Sequence, residues 1–189
     1  MTKEEQIKLD CWDNSLMTIG TSYIFTQKAK KYKIYIRTIT ILGLIVPLLL
    51  GALVAAYGQN SSILTIAIFI TAPIAILQIV LSGISLVLKW DDLLAYSLES
   101  QTENRILFDE YQKLAKYSTT DILELEKQFD ILKVKDNART VQDEKITFTG
   151  KENRKGMRYG LYILKRQCAT CNTIPQSMTP TDCNTCGNY

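Results

Sequence analysis

Charged residues vanish from the chain between Arg37 and Lys89, and Ile, Leu, Val, Ala and Gly dominate what remains. The stretch divides at Gly58-Gln59-Asn60-Ser61-Ser62, a run of turn formers. Thr38 to Tyr57 supplies about twenty residues before the turn, and Ile63 to Leu88 about twenty-six after it. Each is long enough to cross roughly 30 Å of hydrocarbon as a helix. Buried helices of a soluble bundle normally carry charge on one face. These carry none, so the pattern predicts a hairpin of two membrane spans.

Outside the hairpin the apolar residues recur with helical period. Trp12, Leu16, Ile19 and Tyr23 mark a helix from Thr2 to about Tyr35. After the second span, Leu107, Tyr111 and Leu114 repeat the same step. Both spans are thus expected to extend inward as amphipathic helices that pack on each other. Asp121 and Glu124 read as a capping box ahead of a further stripe, Ile122, Leu125, Phe129 and Leu132. Residues 134–150 read as a weakly structured connector. The predicted fold is mainly α: an N-terminal cytoplasmic helix over 1–37, a two-span transmembrane hairpin over 38–88 and cytoplasmic helices over 89–133. A connector and basic segment over 134–166 and a small C-terminal four-cysteine zinc ribbon over 167–189 complete it.

Charge orients the hairpin. Lys28, Lys30, Lys31, Lys33 and Arg37 crowd the entry to the first span, Lys89 follows the second, and the connecting loop is uncharged. The positive-inside rule then places both termini in the cytoplasm of a multi-pass inner-membrane protein. The polar residues ahead of the first span do not fit a secretory signal. Tyr32, Tyr35 and Trp90 suit the inner interface and Tyr57 the outer.

Within the spans, Gly43, Pro47, Gly51 and Ala55 recur every fourth residue, a face of small residues open to close helix approach. Thr71, Ala75, Gln78, Ser82, Ser85 and Lys89 form a stripe on the second. Pro47 and Pro73 each free a backbone carbonyl and can bend their helices. The polar stripe admits two readings. It holds the hairpin together through hydrogen bonds, or it lines a watery path when several hairpins assemble.

The chain has 189 residues, a net charge of +3 and no histidine. The missing imidazole removes His triads, His general bases and His metal ligands, and no carboxylate pair stands at a recognisable spacing. The expectation is a protein that is not an enzyme. Cys11 beside Trp12 reads as a small apolar residue. Lys151, Arg154, Lys155, Arg158, Lys165 and Arg166 form a basic segment interleaved with Tyr159, Tyr162 and Ile163. Contact with anionic lipid is its first reading, and a nucleotide or nucleic acid its second.

Cys168, Cys171, Cys183 and Cys186 make two C-x-x-C knuckles. In a reducing cytoplasm these favour a metal over a disulfide framework. Four sulfurs complete a tetrahedral shell with no open position, the arrangement of structural Zn²⁺, and iron also accepts it. Gly187 is expected to supply a left-handed turn behind the second knuckle, and Asn172 the same behind the first. Pro175 and Pro180 keep the spacer from becoming helical, leaving room for a hairpin.

The long N-terminal helix, the two-span hairpin and the following amphipathic helix resemble the SLATT effectors, two-transmembrane proteins of prokaryotic conflict systems. The tail CATCNTIPQSMTPTDCNTCG resembles the branch of mobilome CxxCx(11)CxxC proteins. The resemblance implies carriage on mobile elements and a membrane-disrupting or pore-forming effector, homo-oligomeric and triggered by a sensor protein encoded nearby. It supplies no catalytic residues, and the four cysteines carry over only as predicted metal ligands. The alternative from another class is a membrane-anchored adaptor, whose ribbon docks a partner protein or nucleic acid while the hairpin is an inert anchor.

Overall fold

The computed structural model describes residues 1–58, 61–117 and 121–189. Among them are five helices: α1 (Lys3–Tyr57), α2 (Ser62–Val87), α3 (Trp90–Lys116), α4 (Ile122–Asp143) and α5 (Gly150–Leu164). No strand occurs among the described residues, and the cysteine tail is built from turns rather than the hairpin its spacer allows. The chain divides into two compact units, Lys28–Tyr96 and Met1–Gln27 with Ser97–Tyr189.

The Lys28–Tyr96 unit contains the apolar stretch 38–88 and extends beyond it at both ends. Its two helices are long and apolar enough to cross a membrane, and almost nothing of their most apolar stretches is buried. Gly58 takes φ 75° at the turn. Gln59 and Asn60 of that turn lie outside the described residues. Ser61 caps α2 by accepting from the N–H of Ile63. α2 stops where Lys89 adopts a left-handed φ of 51°, and α3 begins at the next residue. Tyr35 and Trp90 pack with ring centroids 5.1 Å apart.

The polar stripe of α2 is turned toward α1. A Cβ on Gly43 would lie 2.6 Å from Nε2 of Gln78, so the amide occupies the space a larger residue would fill. Ser82 and Ser85 share a cleft with Ile36, Ile39 and Thr40 of α1. Thr71 donates to the carbonyl of Ala67 on its own helix, at 2.8 Å. Of the face of small residues, Gly43 lies against Gln78 of α2, while Pro47, Gly51 and Ala55 are exposed and a Cβ on Gly51 would meet nothing within 4 Å. Val46, between Gly43 and Pro47, is buried. Pro47 and Pro73 both sit inside continuous helices and are exposed.

In the other unit the α3 and α4 stripes meet each other and Trp12, while Leu16 of the predicted α1 stripe packs with the cysteines and Tyr23 stacks on Tyr159. Ile7 and Cys11 of α1, Leu107, Tyr111 and Leu114 of α3, and Leu125 and Leu132 of α4 form one buried cluster, with Trp12 and Phe129 against it. Asp121 caps α4 through the N–H of Leu123, while Glu124 accepts from Gln128. Ser118, Thr119 and Thr120 lie outside the described residues. α4 does not end near residue 133. It continues to Asp143, and only a short segment separates it from α5. The reason is a polar interior: Arg139 and Asp143 are 3% and 6% exposed, and Asp143 accepts from Ser100 at 2.8 Å and Asn104 at 2.6 Å on α3.

α5 opens with a reciprocal capping box, Thr149 with Glu152. It then lies directly on the backbone of α1. Built Cβ atoms on Gly156 and Gly160 would fall 2.9 Å from the Gly20 carbonyl oxygen and 2.8 Å from that of Leu16. Tyr23 and Tyr159 stack beside this crossing, centroids 4.2 Å apart. Helix propensity favours Ala over Gly by about 0.5–1 kcal/mol. Overpacking against a carbonyl that cannot yield costs about 1–3 kcal/mol. Sterics win, so Gly160→Ala is expected to lower the unfolding midpoint of the detergent-solubilised chain. Gly83→Ala, where a Cβ would meet nothing, is the control and is expected to hold or raise it.

Candidate metal centre

The tail begins where Lys165 turns left-handed, φ 50°, and the N–H of Arg166 returns to the Leu161 carbonyl. This reverses the chain and lays both knuckles beside α5. In the first, the Cys168 carbonyl accepts from the N–H of Asn172 at 2.8 Å, and Asn172 takes the expected left-handed φ of 53°. In the second, the Cys183 carbonyl accepts from the N–H groups of Gly187 and Asn188, each at 2.8 Å. Gly187 itself is not left-handed, against expectation. Glycine is required there by contact: a Cβ would lie 2.6 Å from the Thr181 carbonyl oxygen, and the Thr181 N–H donates to the Gly187 carbonyl. The knuckles also repeat a residue. Thr170 and Thr185 hold equivalent places in the two C-x-x-C loops, and their hydroxyls bond at 2.6 Å.

The four sulfurs lie within 4.8 Å of one another. Two of the separations, Cys168 to Cys183 and Cys171 to Cys186, are 3.9 Å. That is far beyond a disulfide bond, and all four thiols are free. A tetrahedral zinc shell of four sulfurs, with bonds of about 2.3 Å, has sulfur–sulfur edges of about 3.8 Å. The cluster therefore fits a metal with little movement. The electrostatics agree. The hydroxyl and backbone of Thr173 pull the Cys171 thiol down to about 6, and the backbone at Cys186 and Thr185 lowers Cys183. Burial, then the neighbouring sulfurs, pushes Cys186 up. A divalent cation at the centre would offset that crowding and hold all four as thiolates. Cys11 lies apart, in the helical core, where burial raises it to about 11.

Half of the basic segment is spent on the tail. Arg158 is buried; its Nε donates to the Ser177 carbonyl at 2.8 Å and its Nη1 to the Cys186 carbonyl at 3.3 Å. Arg154 donates to the Asn188 carbonyl. Lys155 sits 5.2 Å over the Tyr189 ring, and Arg166 pairs with Asp13 of α1 at 2.7 Å. Lys151 and Lys165 remain exposed. Leu161, Leu16 and Met157 pack against the cysteines from α5 and α1.

A family model described as the mobilome CxxCx(11)CxxC protein matches residues 8–189. No curated protein and no solved structure matches the chain. The match runs from the first turns of α1 through the sulfur cluster, so helices and cysteines are features of one unit of descent. The chain belongs to the mobilome CxxCx(11)CxxC protein family.

Proposed function

We propose that this chain is an inner-membrane effector of the SLATT type, acting in a prokaryotic anti-phage or mobile-element conflict. Its hairpin spans the membrane with both termini in the cytoplasm, and its cysteines hold structural zinc. The observation that carries the reading is the pair of apolar helical stretches left almost wholly uncovered by the chain itself. Lipid or other copies of the hairpin must cover them. Oligomers form through the exposed Pro47, Gly51 and Ala55 face, which admits close helix approach. Permeation follows when the stripe of Thr71, Gln78, Ser82 and Ser85 parts from α1 and faces a shared lumen. The trigger comes from a sensor protein or reaches the chain through its cytoplasmic unit.

A second reading is favoured by the seat of Gln78 against Gly43. A stripe satisfied inside one hairpin suits an inert anchor, with the cysteine module docking a partner protein or nucleic acid. Dye efflux from liposomes carrying the metal-loaded full chain separates the two. The effector gives efflux, directly or after addition of extract from phage-infected cells, and Gln78→Leu returns it to the rate of protein-free liposomes. Liposomes that stay sealed under both conditions sink the pore and leave the adaptor.

A further inference from the structure

The cysteine module does not stand apart from the helices, and its contacts point one way. Arg158 and Arg154 tie its second knuckle and its last residues to α5. α5 rests on α1 through Gly156 and Gly160 at distances only glycine tolerates. The buried sulfurs Cys168 and Cys186 touch the same apolar cluster as Leu16 of α1, and Arg166 reaches Asp13 one turn earlier. The module buries little apolar surface of its own, chiefly Leu161 with Cys168 and Cys186, so the bonds of a metal to its four sulfurs are what hold the two knuckles in this shape. The module's grip on α5 therefore depends on the metal, and so does the close seat of α5 on α1.

We propose that the metal-loaded cysteine module is a latch, holding α5 against α1 through Arg158, so that metal occupancy sets whether the Asp13–Ile24 stretch of α1 is covered. Arg158 is a positioning residue: it touches no metal and ties the knuckle that does to the helix that docks. By reciprocity, whatever docking gains from metal, metal binding gains from docking. The latch belongs to the helical unit and holds whether the hairpin is a pore or an anchor. It rests on the four cysteines being loaded, which metal analysis of the same sample reads separately.

The test is hydrogen–deuterium exchange of the full chain in detergent, before and after removal of metal with a chelator. Amide exchange is expected to quicken by about tenfold or more in α5 and in Asp13–Ile24 as well as in the tail, while α3 and α4 stay protected. A rise confined to residues 167–189 would make the module autonomous and overturn the latch, as would a purified protein that holds no metal. Arg158→Gln supplies the reverse measurement. Its metal affinity, read by chelator competition, is expected to fall about tenfold although no ligand has changed. Unchanged affinity with α5 still protected rejects Arg158 as the link.

Discussion

Cys186→Ser is expected to reduce bound metal from about one ion per chain to almost none, and to unfold the tail with it. The size of the effect follows from how little else holds these residues. Cys168 and Cys186 are the buried members of the sulfur cluster and, with Leu161, make up nearly all its apolar interior. Apparent zinc binding of about 10–16 kcal/mol is larger than anything so small a cluster supplies. A serine hydroxyl is a poor ligand, and a three-sulfur shell leaves three like charges facing a weaker donor. Elemental analysis of the purified variant, with trypsin cleavage after Lys165 and Arg166, reads both consequences. Cys11→Ala is the control: that thiol lies in the helical core, away from the cluster, and its loss is expected to leave metal content unchanged. A Cys186→Ser protein that keeps stoichiometric metal and a protease-resistant tail would mean the four sulfurs are not one site.

What the sequence makes legible is what a single residue type or a single period carries. The uncharged stretch locates the turn and the far end of α2, which stops at Val87 against a predicted Leu88, but not the near end of the unit, because α1 runs unbroken from Lys3 and the unit begins at Lys28. The stripes through Leu107 and Leu125 end in one core with Trp12 against it, because burying one face of a helix imposes the helical period on its apolar residues. The cysteine spacing locates the metal centre, because two knuckles bring four sulfurs together whatever lies between them. Four features are hidden, and each depends on a partner that no periodicity or spacing names. The end of α4 is held by charge rather than an apolar stripe. The basic segment looks like a surface for lipid, yet Arg158 turns inward because unpaired carbonyls of the tail need donors. The role of Gly187 is fixed by Thr181, not by its own φ. The crossing of α5 on α1 is written as Gly156-x-x-x-Gly160, a spacing that shows itself only once Gly20 lies opposite.

Arg139→Met carries the largest expected loss in the helical unit, because it strips the counter-charge from a buried carboxylate. Arg139 gives Nε and Nη2 to Asp143 at 2.9 and 2.7 Å, and Nη1 to Glu99 at 3.0 Å and Glu103 at 2.8 Å. Burial alone would lower its proton affinity, but the bonds to Asp143, Glu103 and Glu99 override that and raise it. In the variant the Ser100 hydroxyl and the Asn104 amide still donate to Asp143 from α3, but no guanidinium faces it. Breaking one side of a buried pair costs about 3–5 kcal/mol. For a chain of this length that lowers the melting temperature by roughly 6–20 °C. The pair itself is a different matter. Desolvating two charges nearly cancels their attraction, so replacing both with apolar residues of similar volume is often neutral. Arg139→Met combined with Asp143→Leu is therefore expected to recover most of the loss, short of what Ser100 and Asn104 forfeit as their own partners disappear. Calorimetry of both variants in detergent reads the difference. A double variant no more stable than Arg139→Met would mean the network fixes how α3 and α4 pair, rather than merely neutralising a buried acid.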